Sequence, residues 1–270
     1  MKQTVEANIM LQIKQIIDFQ KHPIDRLEQF AAGCKQQLEK TGSLLLPNFI
    51  TDQAIAKLKA EALAHAHLAY YCQQTHTAYL SPPDKNYAAV HPRNRQVIST
   101  KGCITDDQIP EASLLRIIYA DEKFRKFLCY VLKQDQLFDY ADSLSSINVH
   151  YYEAGQELGW HFDNSSFAVT LMIQPAEQGG EFEYIPRFRN HETGDMNFEG
   201  VGQALDGDIE AIKLNITAGT LALFRGRNAL HRVTPVMGST DRIQVVLAYN
   251  TAPGITLSEQ ARLTFYGRTH

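Results

Sequence analysis

Eight short runs of strand-forming residues crowd into the chain beyond residue 143, and most gaps between them are too short to hold a helix. They are "SSINVHYYE", "WHFD", "SFAVTLMIQP", "EFEYIP", "IEAIKLNIT", "TLALFRG", "ALHRVTPV" and "RIQVVLAYNTAP", separated by turns such as "AGQELG", "AEQGG" and "GSTD" and by one polar insert at 187–208. Parallel neighbours need a crossover of a dozen residues or more, so these strands are expected to pair antiparallel. Many short strands with turn residues between them predict a two-sheet barrel or jelly roll.

Upstream the period changes from two to that of a helix. Residues 3–20, with Ile9, Ile13, Ile16 and Ile17, and residues 24–40 predict two amphipathic helices. "GSLLLPNFI" predicts a buried strand, and Thr51 or Asp52 is placed to cap a helix in which Ile55, Leu58 and Leu63 recur on one face. Residues 72–110, with Pro82, Pro83, Pro92 and Pro110, predict a long irregular segment, and 111–133 a further helix. The division by pattern is 1–142, a helical part with a segment covering the site, and 143–270, the β core, the two forming one integrated domain.

Composition narrows the function class. Of 270 residues 44% are hydrophobic and 21% charged, as in globular domains with a full core. A net charge of −4 and a pI near 6.2 supply no basic field for nucleic acid or anionic membrane. Cys34, Cys72, Cys103 and Cys129 form no CxxC pair, which argues against a zinc cluster or disulfide framework and for reduced thiols in a cytoplasm. Polar residues interrupt each apolar run of the N-terminus, so neither a signal peptide nor a membrane span is expected. The amphipathic N-terminal helices suit a core or a homodimer interface equally.

Within "GWHFDNSSF", His161 and Asp163 stand two apart, and in an extended strand such residues point the same way. A His-x-Asp pair alone is weak, since chance supplies it in many chains. His231, in "ALHRVTPV" on a strand expected to face it, completes two imidazoles and a carboxylate, a facial set suited to non-haem Fe(II) with open positions. His65 and His67 are also two apart, but in a predicted helix that spacing splays them. Arg242 begins the last strand, eleven residues after His231. Its fork matches a carboxylate bidentately, and a dicarboxylate cosubstrate is the natural partner.

Three further groups are candidates. Asn148, His150 and Tyr152 share one face of the first β-core strand, with Val149 and Tyr151 on the other. If that polar face looks inward, Asn148 and Tyr152 are cosubstrate contacts and His150 a substrate contact. Arg93 and Arg95, in "HPRNRQVIST", are placed to meet a substrate carboxylate from the irregular segment. Arg225 and Arg227 flank Gly226 near His231, and one of them is a pocket-lining candidate. Trp160, next to a ligand, should point away from the metal into packing.

With these residues in view, 143–252 resembles the 2-oxoglutarate-dependent Fe(II) oxygenase superfamily. "GWHFDNSSFAVTLMIQPAEQGGEFEYIP" and "TAGTLALFRGRNALHRVTP" resemble the branch holding free-amino-acid halogenases and their hydroxylating relatives. The resemblance implies a double-stranded β-helix (jelly-roll, cupin-like) core of eight antiparallel strands. It implies Fe(II) on His161, Asp163 and His231, 2-oxoglutarate anchored by Arg242, and O2 as co-reactant. Halogenases of the superfamily carry glycine or alanine where this chain has Asp163, and the vacancy admits halide. The resemblance therefore implies hydroxylation of an unactivated C–H bond in a small polar substrate, a free amino acid, with release of succinate and CO2. Two other readings stand beside it: a non-catalytic cupin-like metal- or ligand-binding protein, and an oxygenase acting on a protein side chain.

Overall fold

The structure is a computed structural model that describes residues 13–270. The helix expected over 3–20 lies outside the described residues as far as position 12, Ile9 included. From Ile13 to Ile16 the chain is helical, and Ile17 bridges to Ile50.

Thirteen strands occur among the described residues: β1 (Ser43–Leu46), β2 (Tyr70–Thr77), β3 (Gln96–Ile104), β4 (Ile147–Tyr152), β5 (Leu158–His161), β6 (Ala168–Gln174), β7 (Gln178–Gly179), β8 (Phe182–Ile185), β9 (Ile212–Leu214), β10 (Leu221–Phe224), β11 (Leu230–Val233), β12 (Val236–Met237) and β13 (Arg242–Leu247). Eleven form one antiparallel sheet in the order β1-β10-β6-β13-β4-β3-β5-β11-β8-β9, with β2 on β3 and a separate β7–β12 pair. The eight expected core strands are all present, and the architecture is the mainly antiparallel jelly roll that was expected.

Alternation along the strands separates a helix-packed face from a cavity face. On β4, Val149 and Tyr151 join the main apolar core while His150 and Tyr152 line a cavity. On β13, Ile243 and Val245 join the core while Gln244 and Val246 line the cavity. The helix Glu122–Leu132 supplies Phe124, Phe127, Leu128 and Val131 to that core, all fully buried. Each such side chain contributes roughly 1.5–3 kcal/mol of burial.

Three expectations are corrected. Residues 72–110 are not one irregular segment, because β2 and β3 pair from Tyr70↔Cys103 to Thr77↔Gln96 and only 78–95 and 105–110 lack strand. In "YYCQQTHT" the exposed positions Tyr71, Gln73 and Thr75 alternate with Gln74 and His76, which line the cavity. Both faces are therefore polar, and hydrophobic periodicity carries no signal there. The helix expected over 111–133 is two helices, Leu114–Ala120 and Glu122–Leu132, broken where Asp121 turns extended and accepts from the Phe124 N–H. The helix Asp52–His65 is capped by Thr51 and buries Ala54, Leu58 and Ala62, leaving Leu63 49% exposed. Across this interface the Tyr151 hydroxyl of β4 donates to the Ala62 carbonyl at 2.7 Å.

The sheet also crosses the expected boundary at residue 143: β1 pairs with β10 and β3 with β4. β3 joins the two walls. It pairs with β4 through Gly102↔Tyr151 and with β5 through Ser99↔Leu158.

Candidate metal centre

His161 ends β5 and lies directly opposite His231 of β11, their rings 4.1 Å apart between centroids. Asp163 lies past the end of β5, not on it as the strand reading had placed it. The chain is held there by two backbone bonds: the Phe162 N–H donates to the Ala78 carbonyl (2.8 Å) and the Asp163 N–H to the Gly226 carbonyl (3.1 Å). Asp163 Oδ1 then lies 3.7 Å from His161 Nε2 and 3.5 Å from His231 Nε2, and the three ligand atoms fall within 4.8 Å of one another. Donors about 2.1 Å from a common ion stand about 3 Å apart, so a small closing movement satisfies one metal.

Both imidazoles are oriented by the main chain. His161 Nδ1 is 2.8 Å from the Gly159 carbonyl and His231 Nδ1 is 2.9 Å from the Ala229 carbonyl. A carbonyl only accepts, so each Nδ1 carries the proton and each Nε2 keeps its lone pair toward Asp163. A further layer holds Gly159: its N–H donates to Ser99 Oγ at 3.0 Å, and His76 Nε2 lies 2.6 Å from the same oxygen. An added Cβ at Gly159 would crowd the Ile98 carbonyl and Val97.

The electrostatics suit metal ligation. Burial, with the neighbouring His231 as a smaller cause, pushes His161 down to about 3, so its ring is neutral and a ready ligand. Burial raises the Asp163 carboxyl, but His231, with His161 and Lys101 as smaller causes, more than offsets this and holds it below its ordinary value. Gly226 makes the room: a Cβ there would collide with Asp163 Oδ2 and lie 2.9 Å from His231 Cε1.

The triad lines a cavity of about 350 Å³ together with Tyr152, His150, Lys101, Gln244 and Phe265. Arg242, paired with Tyr152 across β13 and β4, is 0% exposed, and its three guanidinium nitrogens have no hydrogen-bond partner. Its guanidinium carbon is 5.2 Å from the Tyr152 ring. Burial lowers its pKa, yet an arginine stays charged under any ordinary condition. A buried cation without a counter-charge is costly, and an incoming carboxylate satisfies it. The residues present therefore fit a metal ion bound by two nitrogens and one oxygen beside a dicarboxylate.

Other candidates fall elsewhere. Asn148 is corrected from cosubstrate contact to structural residue, because its amide donates to the Leu144 and Ile147 carbonyls and its oxygen accepts from the Tyr266 hydroxyl. Arg93 donates to the Pro82 carbonyl and lies 5.6 Å from the Tyr79 ring. Arg95 pairs with Asp206 at 2.8 Å beside a separate groove of about 650 Å³. Neither lines the metal-bearing cavity, and Arg93 Nη1 is buried without a hydrogen-bond partner. Arg225 and Arg227 donate to the Leu132 and Asn164 carbonyls and do not line it either. Trp160 points away from the triad, under the Arg232 guanidinium at 4.6 Å. Lys101, Gln244 and Phe265 were missed. A lysine inside the β-branched run "QVISTKGCI" was the available signal for the first.

The family model described as HalD, Halogenase D, matches residues 27–261. The fold is similar to that of an oxidoreductase of the 2OG-Fe(II) oxygenase family from Burkholderia pseudomallei, with 16% identity over 84% of this chain and 93% of that one and a TM-score of 0.54. It is also similar to two proteins of nogalamycin biosynthesis. One is the non-heme alpha ketoglutarate dependent epimerase SnoN, with 12% identity, 81% and 80% coverage and a TM-score of 0.56. The other is the carbocyclase SnoK, with 10% identity, 87% and 92% coverage and a TM-score of 0.56. No curated protein matches the chain. Among the described residues no helix is long and apolar enough to cross a membrane.

Proposed function

Because this chain belongs to the Halogenase D family, we propose that it is a 2-oxoglutarate- and O2-dependent non-haem Fe(II) oxygenase that hydroxylates an unactivated C–H bond of a small polar substrate. A free amino acid is the substrate class that the sequence resemblance favours. The observation that carries the reaction type is the Asp163 carboxylate between the two imidazoles. Where a superfamily halogenase leaves that position to halide, this chain fills it.

The iron centre, when bound with 2-oxoglutarate and O2, supplies the oxidising power, with succinate and CO2 as co-products. The protein's own part is to position and exclude. His161 and His231 present lone pairs fixed by the Gly159 and Ala229 carbonyls. Asp163 supplies a negative oxygen and blocks a halide. Arg242 holds the far carboxylate of the cosubstrate in a site closed to water, where a charge-assisted pair is strongest. The partly apolar cavity holds the substrate C–H bond near the metal and restricts its approach.

The test is to incubate the Fe(II)-loaded protein with 2-oxoglutarate, O2 and free amino acids, with and without chloride, and to weigh the products. The expected product gains one oxygen atom whether or not chloride is present. A chlorinated product from the wild-type protein would overturn the hydroxylase reading.

A further inference from the structure

Beyond the triad, the cavity holds a cation that makes no direct ion pair among the described residues. Lys101 of β3 reaches inward, its Nζ 3.4 Å from both ring nitrogens of His150 and 5.8 Å from the Phe265 ring centroid. Neither ring carries a negative charge. Burial, Lys101 and Arg242 together keep His150 well below its ordinary pKa, so it stands beside the ammonium as a neutral ring. Asp163 is the only acidic residue lining the cavity among the described residues, and its oxygens serve the two metal imidazoles. The remaining polar lining includes the neutral amides Gln74 and Gln244. With Arg242 assigned to the cosubstrate, Lys101 is the cation left to a substrate among the described residues that line the cavity.

We propose that the substrate binds as a carboxylate on Lys101, with His150 as its positioning partner, and that the cavity rejects molecules carrying a basic side chain. This rests on the oxygenase reading above and narrows its substrate class. A lysine ammonium is a point charge with rotatable donors that can follow a carboxylate, and partial burial strengthens the pairing. A second cation on the substrate would lie beside Lys101 in a cavity whose one acidic lining residue among those described, Asp163, is engaged at the metal site, so like charges repel and the desolvated group finds no free partner. Phe265, from the helix Glu259–Tyr266, lies on the ammonium side of Lys101 and lines the same cavity. The assignment also replaces Arg93 and Arg95, which do not line this cavity.

The experiment is anaerobic calorimetry on the protein loaded with Fe(II) and 2-oxoglutarate. The probes are the twenty standard L-amino acids and the carboxamides of those that bind. The expected binders are neutral or acidic members, with L-lysine and L-arginine at least about tenfold weaker than the best of them. Converting the best ligand to its carboxamide should cost about tenfold or more, and Lys101→Met should cost the carboxylate the same while leaving the carboxamide unchanged. Lys101→Arg should recover part of the loss, and 2-oxoglutarate affinity should stay within about twofold in both variants. Preferred binding of L-lysine, equal losses for carboxylate and carboxamide, or a loss of 2-oxoglutarate affinity in Lys101→Met would each overturn the proposal. So would a panel in which no carboxylate binds to protein that has taken up iron and cosubstrate. Failure to take up iron and cosubstrate at all would instead overturn the oxygenase reading.

Discussion

The Asp163 carboxylate occupies the space that a side chain at Gly226 would fill, and the two residues are joined by the Asp163 N–H donating to the Gly226 carbonyl at 3.1 Å. Gly226 is not held in the left-handed region, so alanine is compatible with its backbone and the conflict is purely one of contact. Gly226→Ala should fold, displace the carboxylate, and weaken Fe(II) binding by about 100-fold, the scale seen when the support of a ligand is lost. Calorimetric Fe(II) affinity beside an unchanged circular dichroism spectrum checks this. Wild-type affinity in Gly226→Ala would show that the carboxylate is not needed at that place.

Asp163→Gly removes a ligand itself. Hydroxylated product should fall by at least about 100-fold, more than the loss of a supporting group causes. The ratio of hydroxylated product to 2-oxoglutarate consumed, read by mass spectrometry, gives the result. Retention of the wild-type rate would strike Asp163 from the ligand set.

Arg242→Met separates binding from stability. The guanidinium is fully buried with three unpartnered nitrogens, so replacing it with an apolar chain of similar length removes an uncompensated charge. The metal-free variant should melt at or above the wild-type temperature. Its affinity for 2-oxoglutarate should fall about 10- to 100-fold, the value of a hydrogen-bonded charge pair. Consequently the rise in Tm that 2-oxoglutarate gives the Fe(II)-loaded protein should be smaller than in the wild type at the same cosubstrate concentration. Thermal scans with and without the cosubstrate measure both effects.

The metal-free protein should lose stability as pH falls. His161 is held at about 3 in the folded chain, against 6.5 for an exposed histidine. Between those values the unfolded chain binds a proton that the folded chain does not, so stability rises with pH across the window. The contribution is complete above about pH 6.5 and is lost toward pH 3, at up to about 1.4 kcal/mol per unit. Denaturant titrations at pH 7, 6 and 5 should therefore show a steeper fall for the wild type than for His161→Gln. Parallel slopes would contradict the burial of a neutral His161.

Much of this was legible in the chain. Short runs with short turns predicted the antiparallel core, and His161, Asp163 and His231 stood out because they combined spacing, order and expected strand. β2 and β3 were hidden because a strand with one wet face and one polar cavity face has no hydrophobic period. That concealment extended to Lys101, whose place in the cavity follows only from the pairing of β3 with β4. Asn148 showed the opposite failure. Its sequence position matched the cavity-facing residues of β4, but the Tyr266 hydroxyl and two carbonyls, reached only after folding, take up its amide. Arg93 and Arg95 were read from the promise of a loop, and loops give little information on where a long side chain ends.

The most direct measurement is an anaerobic absorption titration of the metal-free protein with Fe(II) and then 2-oxoglutarate. A weak visible charge-transfer band should form only when both are present. In Arg242→Met it should require about 10- to 100-fold more 2-oxoglutarate to reach the same intensity. Tight Fe(II) binding with no band on adding 2-oxoglutarate would contradict the account and leave a metal-binding protein without an oxygenase's cosubstrate site.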